Sequence, residues 1–153
     1  AQSKVRDDGY VIAIDTFLGS PEHWNRQRGD VHQSLLFRHG RPSFYETFLS
    51  NVVLSNLTNR ILPIAQTTEN AAKILKDNGV MVDLVHIDAA HEYGPVLRDI
   101  ELYWELLVPG GLLMGDDFSW PGVARAVVHF SDRTNIPFSV EFPKWAMRKP
   151  TGV

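Results

Sequence analysis

No cysteine occurs anywhere in this chain. That excludes a disulfide framework, a thiolate metal site and a cysteine nucleophile together. Any metal would have to be held by carboxylates, imidazoles, carbonyls or water. No excess of positive charge is present either: 15 Lys and Arg face 18 Asp and Glu, a formal net charge of -3. The chain therefore lacks the electrostatic footprint of a protein that binds nucleic acid or an anionic membrane surface. No apolar run approaches the roughly 20 residues that a membrane-spanning helix needs. A basic stretch followed by an apolar one is absent from the first residues, so no signal peptide is visible and a cytoplasmic location is the default expectation. Internal repeats and low-complexity segments are lacking as well.

What is present is an ordinary globular composition, 44% hydrophobic and 22% charged over 153 residues, enough for one domain with a real core. Short apolar runs bounded by turn residues predict strands at Tyr10 to Asp15, Arg60 to Ala65, Asp83 to Asp88 and Gly111 to Asp116. The first is apolar on both faces, as a buried parallel strand should be. Pro63 assigns the second to an edge or close to one. Phe138 to Phe142 and Trp145 to Arg148 flank Pro143-Lys144 and read as a short antiparallel pair. Helical periodicity lies between the strands, at Phe44 to Leu57, Thr68 to Asp77, Val96 to Leu107 and Val123 to Phe130. In the first helix Phe44, Phe48, Leu49, Val52 and Val53 form the expected buried face. In the third, Val96, Ile100, Tyr103 and Leu107 point inward, with Arg98, Asp99 and Glu101 set outward. Alternating strands and helices imply an α/β fold, a mostly parallel sheet with helices on both faces. The segment from Thr16 to Pro42 is long and polar, which suits a lid, a binding loop or disorder.

Ligands of open α/β sheets bind outside the carboxyl ends of the parallel strands. Asp15, Asp88 and the pair Asp116-Asp117 close three of the predicted strands there. One such acid is usually a turn or helix cap. Four on one rim repel each other unless a cation or hydrogen-bond donors compensate, and a hard divalent cation such as Mg²⁺ prefers oxygen ligands. His86 and His91 flank Asp88. A histidine inside a strand, as His86 is, is more often a hydrogen-bonded core residue than a ligand. His91 follows the strand and is either a general base or a simple loop donor. Asp15 sits where nucleotide-binding half-sheets place a ribose-binding acid, but Ala1 to Gly9 is too short and polar for the strand and Gly-rich turn that should precede it. It reads instead as the end of a helix and a turn.

Asp83-Leu-Val-His-Ile-Asp-Ala-Ala-His-Glu-Tyr93, Val96-Leu-Arg-Asp99, Trp104, Leu107, Pro109-Gly-Gly111 and Gly115-Asp-Asp117 together resemble the C-terminal half of a class I S-adenosylmethionine-dependent methyltransferase family. The nearest likeness is to metal-dependent O-methyltransferases acting on sugar hydroxyls of natural products, and more distantly to the catechol O-methyltransferase group. Val11 to Phe17 resembles the family's second strand with its ribose-binding acid. The resemblance implies a Rossmann-like sheet, mostly parallel with a C-terminal antiparallel hairpin, whose first strand and glycine-rich turn are missing. Residues 1–153 would be a single, N-terminally truncated methyltransferase domain. The gap at the sheet's centre would be closed by direct pairing of the strands ending at Asp15 and Asp88, or by another chain, which leaves a homo-oligomer open.

The same resemblance implies S-adenosylmethionine as cofactor, bound by Asp15, Gln66, Thr67 and Asp88, and Mg²⁺ held by Asp88, Asp116 and Asp117. His91 and Asp116 would be catalytic. The acceptor would be a hydroxyl of a small molecule or sugar, with Thr16 to Pro42 covering it and His23, Trp24 and His32 in reach. Two other readings compete: a metal-dependent hydrolase built on His86, Asp88, His91 and Asp116, and a non-catalytic nucleotide-binding module in which the acids are caps.

Overall fold

The computed structural model of the chain describes residues 9–25, 27, 29 and 35–152. They fall into two compact units, Ala1–Ala71 and Ala72–Val153. Ala1 to Asp8, and His32 in the long loop, lie outside the described residues, and with them the expected helix end and turn before Gly9.

The first unit holds β1 (Val11–Asp15) and β2 (Ile61–Ala65), paired in parallel with Val11 opposite Ile61 and Asp15 opposite Ala65. Pro63 sits in β2, which has a single ladder partner among the described residues, in keeping with the confinement of proline to edge strands. Helix α1 (Phe44–Leu54) is shorter than its periodicity suggests, because Asn56 turns into the left-handed region at φ 55°. Its apolar stripe is also less covered than expected: Val52 is buried, while Leu49 and Val53 are exposed. The described part of the long loop has defined local structure. Pro21–Trp24 forms a 3-10 turn, Leu35 is fully buried, and the Ser43 hydroxyl donates to the Leu36 carbonyl at 2.5 Å. Helix α2 (Thr68–Asp77) then begins with Thr67 as its cap, the Thr67 Oγ1 accepting the Asn70 N–H at 3.2 Å.

The second unit is a four-stranded sheet in the order β3-β4-β6-β5. β3 (Val82–Ile87) and β4 (Leu107–Gly115) run parallel, and β6 (Lys144–Arg148) is antiparallel to both β4 and β5 (Phe138–Glu141). The expected C-terminal hairpin is therefore present. The strand expected from Gly111 begins earlier, at Leu107, so that Pro109-Gly110-Gly111 lies within β4, where the β3–β4 register shifts between Val82 and Leu84. Gly110 supplies the positive φ, 81°, at that irregularity.

Helix α3 (Tyr93–Leu106) packs on this sheet, and α4 (Pro121–Thr134) packs against α3. α4 buries Val123, Ala126, Val127 and Phe130, spaced i, i+3, i+4, i+7 as a helix seated on a core requires. α3 buries Val96, Ile100, Tyr103 and Leu106, and also Asp99 at 4% exposure, which corrects the outward placement of that acid. Burial, aided by the Asp99 charge, pushes the Tyr103 phenol up to about 12. The C-terminal carbonyls of α3 are met by Lys149, whose ammonium donates to Trp104 O at 2.8 Å and Leu107 O at 2.7 Å.

Candidate active site

Every acid expected at a strand end is found at one. In the second unit, the Ile87 to Gly115 register continues one rung further, with the Asp116 N–H donating to the Ile87 carbonyl at 3.2 Å. Asp88 and Asp116 thus leave adjacent parallel strands side by side at their carboxyl ends. A cavity there is lined by Asp88, His91, Asp116, Asp117, Val123 and Trp145, among others.

The local backbone explains how two consecutive acids serve one rim. Asp117 adopts φ 60°, the left-handed region that a non-glycine residue enters at a cost. Its N–H donates back to Asp116 Oδ1 at 3.0 Å, and its carbonyl accepts the Trp120 N–H at 2.9 Å. That turn aims the Asp117 carboxylate at His91: His91 Nε2 and Asp117 Oδ2 are 2.9 Å apart, with both side chains about one-third exposed. The Trp120 ring stacks on the His91 ring, centroids 4.7 Å apart and 13° from parallel. Histidine, acid and tryptophan therefore hold one another in a fixed orientation. Beside a carboxylate, Nε2 carries the ring hydrogen and Nδ1 becomes the basic nitrogen.

Asp116 Oδ2 takes a different partner. The ammonium of Lys144, from the start of β6, is in contact with it. This hydrogen bond, with the Asp117 amide adding to it, holds Asp116 below the usual carboxylate range. Asp116 in turn raises Lys144 above its ordinary value, and the charges of Asp88 and Asp117 act in the same direction. Next in the chain, Trp145 is 1% exposed, and its indole lies flat against Gly115, where a β-carbon would stand 2.6 Å from Cε2 and Cζ2. Gly115 is thus the residue that lets Trp145 form the floor of the site. The Trp145 Nε1 hydrogen has no partner among the described residues.

The structure therefore gathers His91, Asp88, Asp116 and Asp117, and adds Lys144, Trp145 and Trp120, which the sequence reading passed over. Lys144 and Trp145 stand 28 and 29 residues beyond Asp116, and only the antiparallel register pairing Gly115 with Trp145 delivers them. His86 is exposed on β3 rather than a core residue, and its charge contributes to lowering Asp116. The expected metal ligands share a rim without converging: among the described residues, no three His, Asp or Glu side chains are arranged to hold a metal ion. Lys144 and His91 have turned Asp116 and Asp117 toward themselves.

The remaining candidates belong to the first unit. Asp15 is exposed at the carboxyl end of β1, with Oδ1 accepting the Phe17 N–H at 2.7 Å. Gln66 follows β2, and its Oε1 accepts from Asn70 at 3.1 Å, while Thr67 caps α2. In the long loop, Trp24 donates to the Leu18 carbonyl at 2.9 Å and packs edge-on to Phe37, and His23 Nδ1 accepts the Ser20 N–H at 3.1 Å. These contacts are structural, as caps and turn braces are.

Parallel strands alternating with helices, with polar side chains gathered at the carboxyl ends of the strands, are the layout of Rossmann-like ligand-binding proteins. The chain belongs to the methyltransferase domain family, whose family model matches residues 1–118. No curated protein matches it by sequence. Among solved structures it is similar to the O-methyltransferase NovP, at 13% identity and a TM-score of 0.69, covering 95% of this chain and 62% of that one. It is also similar to CalS11, a TDP-rhamnose 3'-O-methyltransferase of calicheamicin biosynthesis, at 17% identity and a TM-score of 0.54, covering 91% of this chain and 58% of that one. A third is TomG, an O-methyltransferase from Streptomyces achromogenes solved with S-adenosylmethionine, at 15% identity and a TM-score of 0.60, covering 94% and 73%. The chain thus spans about three-fifths of the length of NovP and CalS11. At these identities the likeness concerns the fold.

Proposed function

We propose that the two units are parts of one methyltransferase domain that transfers a methyl group to a hydroxyl oxygen of a small molecule or sugar. The observation that carries this is the His91–Asp117 pair at the strand-end rim beside Asp88 and Asp116. S-adenosylmethionine, when bound, supplies an electrophilic methyl group. Asp15 suits its ribose: an exposed carboxylate at the end of a parallel strand, with one oxygen committed to a turn. Gln66 and Thr67 follow the neighbouring strand and would face the adenine, with Asp88 toward the cofactor's amino group. His91 is the general base. Asp117 fixes its tautomer and stabilises the ring when Nδ1 takes the acceptor's proton, and Trp120 holds the ring in plane. Asp116 anchors Lys144 at the same rim, so the developing charge on the acceptor oxygen forms beside an ammonium.

A divalent ion such as Mg²⁺ would draw on Asp88, Asp116 and Asp117, and to hold it Asp116 and Asp117 would have to turn away from Lys144 and His91. Bound there, it would lower the pKa of an acceptor hydroxyl. Its O-methyltransferase neighbours, two of them acting in natural-product synthesis by their titles, support the class of acceptor.

Calorimetric titration with S-adenosylhomocysteine tests the cofactor half. Binding that weakens about tenfold or more in Asp15→Ala, the loss of hydrogen bonds to a charged acceptor, is the expected result. Unchanged affinity in that variant would remove Asp15 from the cofactor site, and no binding by the wild-type protein would sink the reading.

A further inference from the structure

A second cluster of polar side chains joins α3 to α4, and none of its members lines the rim cavity. Tyr93, the first residue of α3, meets Arg125 and His129 of α4. The Arg125 guanidinium lies over the Tyr93 ring, 4.3 Å from its centre. The His129 ring is 8° from parallel with the same phenol, centroids 5.9 Å apart, and its Nδ1 is in contact with the Tyr93 hydroxyl. Arg125 and His129 are one helical turn apart and so share a face of α4. With Ala124, Val128 and Asp132, these three residues line an open groove of about 510 Å³, a volume in the range of small-molecule sites.

What the cluster offers is hydrogen-bond donors. A phenol is a stronger acid than a neutral imidazole N–H, so Tyr93 donates to Nδ1 and Nε2 carries the ring hydrogen. Nε2 has no hydrogen-bond partner among the described residues. Arg125 makes no ion pair or hydrogen bond among them either, whereas Arg133 of the same helix is held by Glu101. The contact with the Tyr93 face orients the guanidinium without occupying its N–H groups. A charged fork and a neutral N–H, one turn apart, match the acceptor oxygens of a phosphate or a carboxylate. The groove is far larger than such a group, and Ala124 and the exposed Val128 give it an apolar wall. Asp132, three residues past His129, repels an anion from its own end and so favours the Arg125 end.

We propose that this groove is a second binding site, for a small organic molecule that carries an oxyanion. The Arg125 fork and the His129 Nε2–H hold the anion, and the apolar part of the ligand rests on Ala124 and Val128. Tyr93 is a positioning residue, since it sets both the guanidinium plane and the histidine tautomer. The inference depends neither on methyl transfer nor on a metal.

The test is titration of the ¹⁵N-labelled protein with phenyl phosphate and with benzoate at constant ionic strength, followed by nuclear magnetic resonance. Inorganic phosphate and phenol are the controls for the anion alone and the apolar body alone. Saturable shifts centred on Tyr93, Arg125 and His129 are expected with the organic anions, and the tighter of the two tells phosphate from carboxylate. Arg125→Gln should weaken that binding about tenfold or more, the scale of losing hydrogen bonds between charged groups. Arg125→Lys should recover only part of it, because the fork is gone. Tyr93→Phe should weaken it several-fold and move the His129 ring nitrogens toward a mixed tautomer, which a merely structural tyrosine would not do. Arg133→Gln makes the same change of charge on the same helix and should bind as wild type does. Circular dichroism checks that each variant folds. Absence of saturable shifts with both organic anions would overturn the proposal. Equal losses in Arg125→Gln and Arg133→Gln would overturn it too, since they would mean general charge attraction. So would phenol or inorganic phosphate binding as tightly as the organic anions.

Discussion

Gly122 lies against the backbone of His91: a β-carbon at position 122 would stand 2.2 Å from the His91 carbonyl oxygen and 2.9 Å from the Tyr93 nitrogen. The first turn of α4 is thereby pressed onto the loop that presents the proposed base. Both obstructing atoms are backbone, so no side chain can rotate out of the way.

Gly122→Ala is accordingly expected to cost stability by about 1–3 kcal/mol, the usual penalty of overpacking. A lowered urea midpoint with an unchanged slope would show it. A midpoint equal to wild type would mean that the loop carrying His91 yields freely, and that its position is not fixed by α4.

The His91–Asp117 pair predicts an ordered loss of activity. In the whole protein, His91→Gln should lower kcat by about 10²–10⁴-fold, the range for removal of a general base. Asp117→Asn should lower it less, since the base remains and only its tautomer and charge support are lost. Affinity for S-adenosylhomocysteine should change little in either. Near-normal turnover in His91→Gln would reassign that histidine to a loop donor.

Tyr103 should titrate late. Its phenol is raised from 10.0 to about 12 by burial, with the Asp99 charge adding. The folded chain then holds this proton more tightly than the unfolded chain does. The associated stability is fully present below about pH 10 and is lost as pH rises toward 12. Ultraviolet titration should show a late phenolate component that disappears in Tyr103→Phe. An unchanged titration curve in that variant would contradict the burial argument.

The strand-end acids of each unit were legible in the sequence because the strand pattern is. Apolar runs ending in Asp15, Asp88 and Asp116 announce strands and their ends together, and ligand sites of open parallel sheets lie at such ends. His91, three residues past Asp88, follows from the same reading. Asp99 was not legible, since helical periodicity groups residues by angle and a charged residue at an inward angle is by default placed outside. The β4 irregularity at Pro109-Gly110-Gly111 was hidden for a similar reason: those residues signal a break whether the chain turns out of a sheet or bulges within one.

The sequence by itself determined the α/β order of elements, the hairpin at the end and which strands finish in carboxylates, because these depend on patterns a few residues long. Only the tertiary structure decided what faces those carboxylates. Asp116 and Lys144 are 28 residues apart, and their contact exists because β6 inserts antiparallel between β4 and β5 with Gly115 opposite Trp145. Local propensity sets the strands, but long-range register sets which charge meets which. In this chain that register brought a lysine to Asp116, one of the acids that the family resemblance had assigned to a metal.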